Sequence, residues 1–370
     1  MQLKLPIFIS KNLSWYLSTR PRKDLHVEIS AVKHCSIRCT YCPQDQLLKS
    51  SNNEKNSSNL TLEKFKHYLN NLPKEYLSIY WTGYSEPCLN KNLPEMVEYA
   101  YNLGIKQGIS TTLVGHNRCI DYLSTTKAIN KELMLHLPDN DGNMETGALK
   151  VNEKYLSKLK LIISSFDNRK SEKLLTMCLG NKYHKSIESL IRSMGKSYLI
   201  KCDENFYTRT GNINIKDFNN YSSFNLYNLI NSIKKRPIKS LKKFKHIIKK
   251  NILSKIKYII DIKTNTYYCS FKRLNQPVVL GDGKMNICCQ DYNLSCIVGD
   301  LNNNHYDDIY KKWFSENSSD FVNGKLTPCT KCEFYRPITL GKIILSGARY
   351  FLNKLKAIST INNPNRLRRK

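Results

Sequence analysis

Three cysteines near the start of the sequence constrain this chain more than any other feature. Cys35, Cys39 and Cys42 follow a C-x3-C-x2-C spacing. They come directly after an alternating, β-branched run, residues 25–32, that predicts a strand. A structural zinc or a closed iron–sulfur cluster takes four protein ligands, so three thiolates leave one coordination position for a substrate or cofactor. Three buried, incidental thiols are the plainer alternative.

With an aromatic residue, Tyr41, directly before the third cysteine, this loop resembles that of the radical S-adenosylmethionine (radical SAM) enzymes. The resemblance implies that Cys35, Cys39 and Cys42 hold a [4Fe-4S] cluster whose fourth iron binds the amino and carboxylate groups of SAM. It implies that the cluster passes one electron to SAM, giving methionine and a 5′-deoxyadenosyl radical that abstracts hydrogen from a substrate carbon. It also implies a reductant such as flavodoxin or ferredoxin. No catalytic acid or base is assigned.

Through the first half of the chain, strands alternate with helices, as in α/β folds with parallel strands. A helix is predicted to begin after an N-cap at Thr61, and the segment 46–59 is expected to be polar and flexible. Six βα units fit a partial, open (β/α)6 TIM-type barrel, in which the chemistry gathers at the C-terminal strand ends. The predicted strands cover residues 25–32, 76–81, 106–113, 132–138, 173–178 and 197–202.

The end of the second predicted strand carries a second match. Gly83 to Glu86 resembles the family's glycine-rich motif, whose glutamate hydrogen-bonds the amino group of bound SAM. Tyr84 and Ser85 stand where small residues are common in the family, so the match is partial, and a plain turn is the alternative. At the end of the third strand, Thr111 and its neighbour Thr112 are expected to bond polar groups of SAM.

Arg209 is a further predicted cofactor contact. Residues 209–212 resemble an Arg-x-Gly-Asn segment that follows the last barrel strand in some radical SAM proteins with additional clusters. A guanidinium there suits a carboxylate or a phosphate, and a surface turn is the alternative. His136, at the end of the fourth strand, is expected to be a structural histidine.

A second group of cysteines lies in the C-terminal half. Cys269, Cys288, Cys329 and Cys332 form a C-x13-G-x4-C pattern with a later C-x2-C, and residues 278–289 predict a hairpin. Four thiolates suit zinc as well as an iron–sulfur cluster. The pattern resembles the SPASM/twitch extension of radical SAM enzymes, which holds auxiliary [4Fe-4S] clusters. No cysteine follows Cys332, which favours the shorter twitch form with one auxiliary cluster.

Cys289 competes with Cys288 for one ligand position, and the spacing from the hairpin glycine favours Cys288. Five further cysteines are expected to be ordinary thiols: Cys88, Cys119, Cys178, Cys202 and Cys296. The two resemblances together span residues 25–335.

The expected organisation has five parts, and two of them are strongly basic. The net charge is +29, and residues 232–260 contain 11 Lys or Arg and no acid. A basic surface implies an anionic partner, although genomic base bias gives the same composition. The parts are a lead-in (1–24), the barrel (25–216), a basic helical connector (217–262), a small cysteine-rich α+β domain of SPASM/twitch type (263–336) and a basic amphipathic tail (337–370).

The connector is expected to pack its apolar stripe on the barrel, and a surface for lipid or nucleic acid is the alternative. For the tail, a cap on the barrel mouth is favoured over contact with an anionic membrane. Thirteen cysteines, no secretion signal and no apolar run of transmembrane length predict a cytoplasmic protein, with peripheral contact at the inner membrane face as the alternative.

The predicted reaction is a net oxidation or a rearrangement of a small sugar- or nucleotide-like molecule, which the positive charge suits if the substrate is phosphorylated. About 24 residues precede the first strand, too few for a leader-peptide-binding domain, so a peptide-modifying enzyme is the second choice. A non-catalytic four-cysteine zinc protein that binds nucleic acid is the alternative of a different class. It leaves the three-cysteine loop unexplained, and no nucleic-acid partner is expected.

Overall fold

The computed structural model describes residues 7–19, 25–32, 35–52, 59–166, 173–179, 182–200, 202–203, 209, 212–213 and 263–344. The predicted basic connector and all but the first residues of the predicted tail lie outside these ranges. Within them, no helix has both the length and the apolar character that a bilayer crossing requires.

The N-terminal half is a parallel sheet with its helices in the connections, and it confirms the predicted partial barrel. Strands β1 to β6 lie side by side in chain order, and each of the first five pairs in parallel with the next one. Chain-adjacent parallel strands need crossover connections, and these place all C-terminal strand ends on one side. The strands are β1 Leu25–Ile29, β2 Leu77–Trp81, β3 Lys106–Thr111, β4 Glu132–His136, β5 Lys173–Leu179 and β6 Cys202–Asp203. The helices are α1 Ile7–Ser18, α2 Gln44–Asn52, α3 Leu62–Asn70, α4 Leu93–Asn102, α5 Asn117–Thr125, α6 Glu153–Phe166 and α7 Lys185–Ser193.

Apolar side chains on the strands form the core beneath these helices. Val27, Ile79 and Ile109 come from three neighbouring strands, and none has measurable exposure. The Trp81 ring is equally buried, and its indole N–H donates to Gln107 Oε1 at 2.8 Å, so the polar atom of a large apolar side chain is satisfied. The predicted cap of α3 is also present, because the Thr61 hydroxyl accepts from the Lys64 N–H.

Two local predictions were wrong. Residues 46–52 of the stretch that was expected to be flexible belong to helix α2, because Gln44 follows Pro43 directly and Gln, Leu and Lys are good helix formers. Residues 53–58 of that stretch lie outside the described ranges. The expected sixth strand starts later than predicted, since residues 197–199 form a 3-10 turn and, within the described ranges, residues 202–203 are the ones that pair with β5.

The C-terminal half adds strands to the same sheet. The predicted hairpin is present, with β8 Val278–Val279 antiparallel to β9 Lys284–Asn286, and β8 pairs in parallel with β1. Among the described residues, nine strands follow one another in the order β10-β9-β8-β1-β2-β3-β4-β5-β6, where β10 is Ile297–Asp300. Strands β7, Lys263–Cys269, and β11, Tyr335–Thr339, form a separate antiparallel pair, and helix α8 spans Tyr306–Val322.

Candidate active site

A cavity of about 560 Å³ opens at the C-terminal ends of the barrel strands. Cys35, Cys39 and Cys42 line it, together with Glu86, Thr111 and residues from β4 and β5. The volume lies within the range of small-molecule sites. The structure therefore brings the predicted cysteine loop and the predicted SAM-binding strand ends to one cavity.

The loop that follows β4 supports the cysteine loop, which the sequence did not indicate. Thr40 N donates to Asn143 O at 2.9 Å, and Ala148 N donates to Ser36 O at 3.0 Å. A Cβ on Gly147 would lie 2.3 Å from the carbonyl oxygens of Ser36 and Ile37, so a larger residue cannot occupy this position without displacing the loop.

The three cysteines fit a three-ligand cluster by chemistry and placement. Their thiols share one cavity, and Cys39 interacts electrostatically with both Cys35 and Cys42. Burial raises the pKa of the Cys35 thiol to about 11 and also raises that of Cys39, so these two thiols are neutral at pH 7 in the absence of metal. A bound metal reverses this preference because it stabilises the thiolate.

Among the described residues, no three His, Cys, Asp or Glu side chains are grouped closely enough to hold a single metal ion. In a [4Fe-4S] cluster each thiolate binds a different iron, so the sulfurs need not converge on one point.

Glu86 is the best-anchored charged group of the cavity. Its Oε1 accepts from the Thr111 hydroxyl at 2.6 Å and from Cys88 N at 3.0 Å. Its Oε2 accepts from the N–H and the hydroxyl of Thr112, both at 2.7 Å. Burial raises the pKa of Glu86 above its usual value, although these four hydrogen bonds favour the charged form. The predicted SAM contact is thus held in one orientation by the end of β3.

Two neighbouring predictions change in detail. The Thr111 hydroxyl, expected to contact SAM, is used within the chain, since it donates to Glu86 and accepts from Leu113 N at 3.0 Å. Gly83 has a φ of +68°, and a Cβ there would lie 3.0 Å from side-chain atoms of Ser30 and Val278. The glycine is thus required by the backbone conformation and by the close approach of β8.

Tyr84, which departs from the family motif, connects the two halves of the chain. Its hydroxyl donates to Cys288 O at 2.7 Å and accepts from Asn286 Nδ2 at 2.6 Å. The side chain is 2% exposed. A small residue at this position could not reach the hairpin, so the departure from the motif has a structural cause in this chain.

Gln44, which the sequence analysis did not single out, joins the cysteine loop to this motif. Its Oε1 accepts from Cys35 N at 3.3 Å, and its Nε2 donates to Tyr84 O at 2.6 Å and to Cys42 Sγ at 3.4 Å. It lies directly after the last cysteine and Pro43, but a glutamine carries no signal of this role in a sequence.

Arg209 also faces the cavity, as predicted for a ligand contact. Its guanidinium carbon lies 5.8 Å from the centre of the Tyr292 ring, within cation–π range. Burial, with the Arg209 charge, lowers the pKa of His136 to about 4, so this imidazole is neutral at pH 7. The His136 Nε2 lies 3.3 Å from the Tyr41 hydroxyl, which connects the end of β4 to the cysteine loop.

The four auxiliary cysteines come together in the C-terminal half. Cys288 interacts electrostatically with Cys329 and Cys269, and Cys332 interacts with Cys269. Cys269 ends β7, and the N–H of Cys332 donates to Cys329 O at 2.9 Å within one turn. Burial raises the pKa of Cys332 to about 12 and raises the others as well. Four buried thiols suit a fully ligated cluster, in which each thiolate binds a different iron. In this structure they are not grouped closely enough for a single zinc ion.

The adjacent cysteines Cys288 and Cys289 have different surroundings. Cys289 lines the main cavity and interacts with Glu28, Arg273 and Arg209, whereas Cys288 belongs to the group of four. At this corner, Arg273 Nη1 donates to Glu28 Oε1 at 2.7 Å, in a pair that is 16% and 6% exposed. Spacing alone could not show that the two thiols diverge, and it gave no signal for Glu28 or Arg273.

No protein-family model matches the chain, and no curated protein sequence matches it. Similar solved structures include SuiB from Streptococcus suis bound to the precursor peptide SuiA, at 14% identity and a TM-score of 0.50, covering 84% of this chain and 70% of that chain. They also include BtrN in complex with AdoMet and 2-DOIA, at 15% identity and a TM-score of 0.43, covering 85% and 94%. A third is anSMEcpe with bound AdoMet, at 15% identity and a TM-score of 0.41, covering 92% and 100%. The chain has the fold of the radical SAM enzymes.

Proposed function

We propose that this protein is a radical SAM enzyme with one auxiliary cluster, acting on a small anionic molecule in a net oxidation or a rearrangement. The observation that carries the proposal is the shared cavity, in which three cysteine thiols face a carboxylate held by four hydrogen bonds. When bound, the cluster and SAM together supply one-electron reductive cleavage and hydrogen-atom abstraction. The test is anaerobic reconstitution with iron, reduction with dithionite, and measurement of 5′-deoxyadenosine.

In this proposal the chain binds and orients the cofactor. Cys35, Cys39 and Cys42 hold the cluster, and Glu86 accepts hydrogen bonds from the amino group of SAM. Thr111 and Thr112 fix the carboxylate in place, so SAM does not have to order it.

The auxiliary site is proposed to hold one [4Fe-4S] cluster on Cys269, Cys288, Cys329 and Cys332. Support comes from the mutual electrostatic interactions of these thiols and from their burial. Cys289, the neighbour of Cys288 in the sequence, lines the cavity, so the turn that carries Cys288 reaches the proposed substrate space. A soluble one-electron donor such as flavodoxin or ferredoxin is the proposed reductant, and the cytoplasm the proposed location.

The substrate is proposed to bind at the corner of the cavity formed by Arg209, Arg273 and Glu28. Two guanidinium groups face one carboxylate there, which leaves a local positive charge. The Nε of Arg273 is buried and has no hydrogen-bond partner among the described residues. The guanidinium groups of Arg209 and Arg273 line the cavity and are the proposed donors to a ligand oxygen. A phosphate or carboxylate on a sugar- or nucleotide-like molecule supplies that oxygen.

A substrate panel tests this assignment. We expect phosphorylated and nucleotide-linked sugars to raise the rate of 5′-deoxyadenosine formation above that with SAM alone. The reason is that SAM cleavage is followed by hydrogen abstraction only when a substrate is bound. Uncharged sugars of the same skeleton are the matched control, and short peptides form a third arm. Stimulation by peptides alone would replace the small-molecule proposal with a peptide-modifying enzyme.

Replacing Glu86 by glutamine is expected to weaken SAM binding about 10- to 150-fold, because one charge-assisted hydrogen bond contributes about 1.5–3 kcal/mol. The amide also turns an N–H toward the donors Thr112 N or Cys88 N, which adds to the loss. The iron content should not change, since Glu86 meets the ligand and not the metal. The measurement is titration calorimetry of reconstituted protein with SAM.

Glu98→Gln is the matched control. Glu98 Oε1 also accepts two hydrogen bonds, from the Tyr122 and Thr126 hydroxyls at 2.6 and 3.1 Å, but Glu98 does not line the cavity. Equal SAM affinity in Glu86→Gln and the wild type would reduce Glu86 to a structural carboxylate of the β2 turn.

A further inference from the structure

Two side chains contact the sulfur of Cys42, one close to it in the sequence and one from the C-terminal half of the chain. Gln44 Nε2 donates to Cys42 Sγ at 3.4 Å, and the Tyr292 hydroxyl lies 3.3 Å from the same sulfur. In the metal-free protein, the thiol donates to Tyr292. Once the sulfur binds iron it has no proton, and the hydroxyl is then the donor of this pair.

Both donors are buried and held from several sides. Gln44 and Tyr292 are each 4% exposed. The amide of Gln44 is fixed by the N–H of Cys35 and by the carbonyl of Tyr84. A hydrogen bond in such a low-dielectric environment is stronger than the same bond at the surface, and its donor cannot turn away to water.

Tyr292 is placed by the auxiliary half of the chain. It follows the cysteine pair 288–289, and its ring meets that of Tyr84 in a T-shaped contact with centres 4.8 Å apart. Tyr84 in turn donates to the carbonyl of Cys288 at 2.7 Å. The position of the Tyr292 hydroxyl therefore depends on the turn that carries an auxiliary cysteine.

We propose that Tyr292 and Gln44 are positioning residues that raise the reduction potential of the cluster held by Cys35, Cys39 and Cys42. Through Tyr292, the auxiliary half of the chain sets the ease with which the first cluster is reduced. This inference rests on the proposed function, because it takes the three-cysteine site to hold an iron–sulfur cluster.

The physical reason is the charge that reduction adds. One additional electron on a cluster is shared with the sulfurs of its ligands, and hydrogen bonds to those sulfurs stabilise the more negative state more strongly. Removing a donor therefore makes the reduced form less stable and lowers the potential. Arg209, whose charge acts on Cys42 and whose guanidinium lies over the Tyr292 ring, favours the same state.

The test is Tyr292→Phe, which keeps the ring against Tyr84 and Arg209 and removes only the hydroxyl. We expect the equilibrium constant for reduction of the cluster at Cys35, Cys39 and Cys42 to fall about tenfold. For a one-electron couple this lowers the reduction potential by about 59 mV. The other cluster should keep its potential. Redox titration of full-length, reconstituted protein without SAM, followed by electron paramagnetic resonance, measures both.

Tyr122→Phe is the matched control, because its hydroxyl also donates a short hydrogen bond, to Glu98 at 2.6 Å, away from both cysteine groups. Gln44→Met removes the second donor while keeping an unbranched side chain of similar length, and it should lower the same potential. Unchanged potentials in both Tyr292→Phe and Gln44→Met, with full iron content, would overturn the inference. Absence of any cluster at the three-cysteine site of the wild type would instead overturn the proposed function.

Discussion

Replacing Cys35, Cys39 and Cys42 together by alanine is expected to abolish reductive cleavage of SAM. The iron content should fall from about 8 to about 4 Fe per chain, because one of two four-iron clusters loses all its protein ligands. The effect is the largest we predict, since no other described group of cysteines lines this cavity. The measurements are 5′-deoxyadenosine formation and iron per chain after anaerobic reconstitution.

The control for this triple variant is Cys119→Ala with Cys178→Ala, which removes two buried thiols that are outside the assigned ligands and do not line the cavity. That double variant should retain both clusters and SAM cleavage. If the triple alanine variant cleaved SAM at the wild-type rate, the assignment of the three-cysteine loop would be wrong.

Cys288→Ala is expected to remove the auxiliary cluster, whereas Cys289→Ala is expected to keep it. The two residues are adjacent, but only Cys288 shares electrostatic interactions with Cys269 and Cys329 in the quartet. We therefore expect about 4 Fe per chain in the first variant and about 8 in the second. Each variant serves as the control for the other, since both remove one buried thiol from the same turn.

Iron and zinc analysis of the wild type decides what the quartet binds. About 4 Fe with one zinc per chain would make the C-terminal group a zinc site, and about 12 Fe would require a third cluster. Equal iron in the two single-alanine variants would contradict the division between Cys288 and Cys289 that the structure shows.

The sequence predicted the barrel because its signals are local. Strands β1, β2, β4 and β5 are short runs rich in apolar residues, and the turn residues Gly83 and Gly104 mark where elements end. Both glycines adopt positive φ, at +68° and +74°, where other residues are strained. Gly108 is an unfavourable residue within a strand, but a Cβ there would lie 2.6 Å from the Tyr80 ring. The glycine makes room for an aromatic side chain from β2, a cause that only the sheet register reveals.

The candidate site was predictable only where spacing encodes it. Two groups of cysteines could be assigned from their spacing, because ligands of one cluster must lie close together. Tyr292 and Arg273 could not, because each acts through contacts with residues far away in the sequence. Gln44 could not either, because its contacts with Cys35, Cys42 and Tyr84 follow no residue pattern. Tyr84 looked like a weak point of the motif, and the structure shows that it holds the C-terminal hairpin.

The pairing of β1 with β8 has a consequence for biosynthesis. Cys42 and Tyr292 are 250 residues apart, and β8 completes the sheet only when the hairpin has been made. At a synthesis rate of 5–20 residues per second, the delay between the synthesis of Cys42 and that of Tyr292 is about 12–50 s. During it, the outer edge of β1 is exposed, and an unpaired edge is a template for association with other chains. We expect the nascent cysteine loop to stay open on this side until the hairpin arrives and closes it.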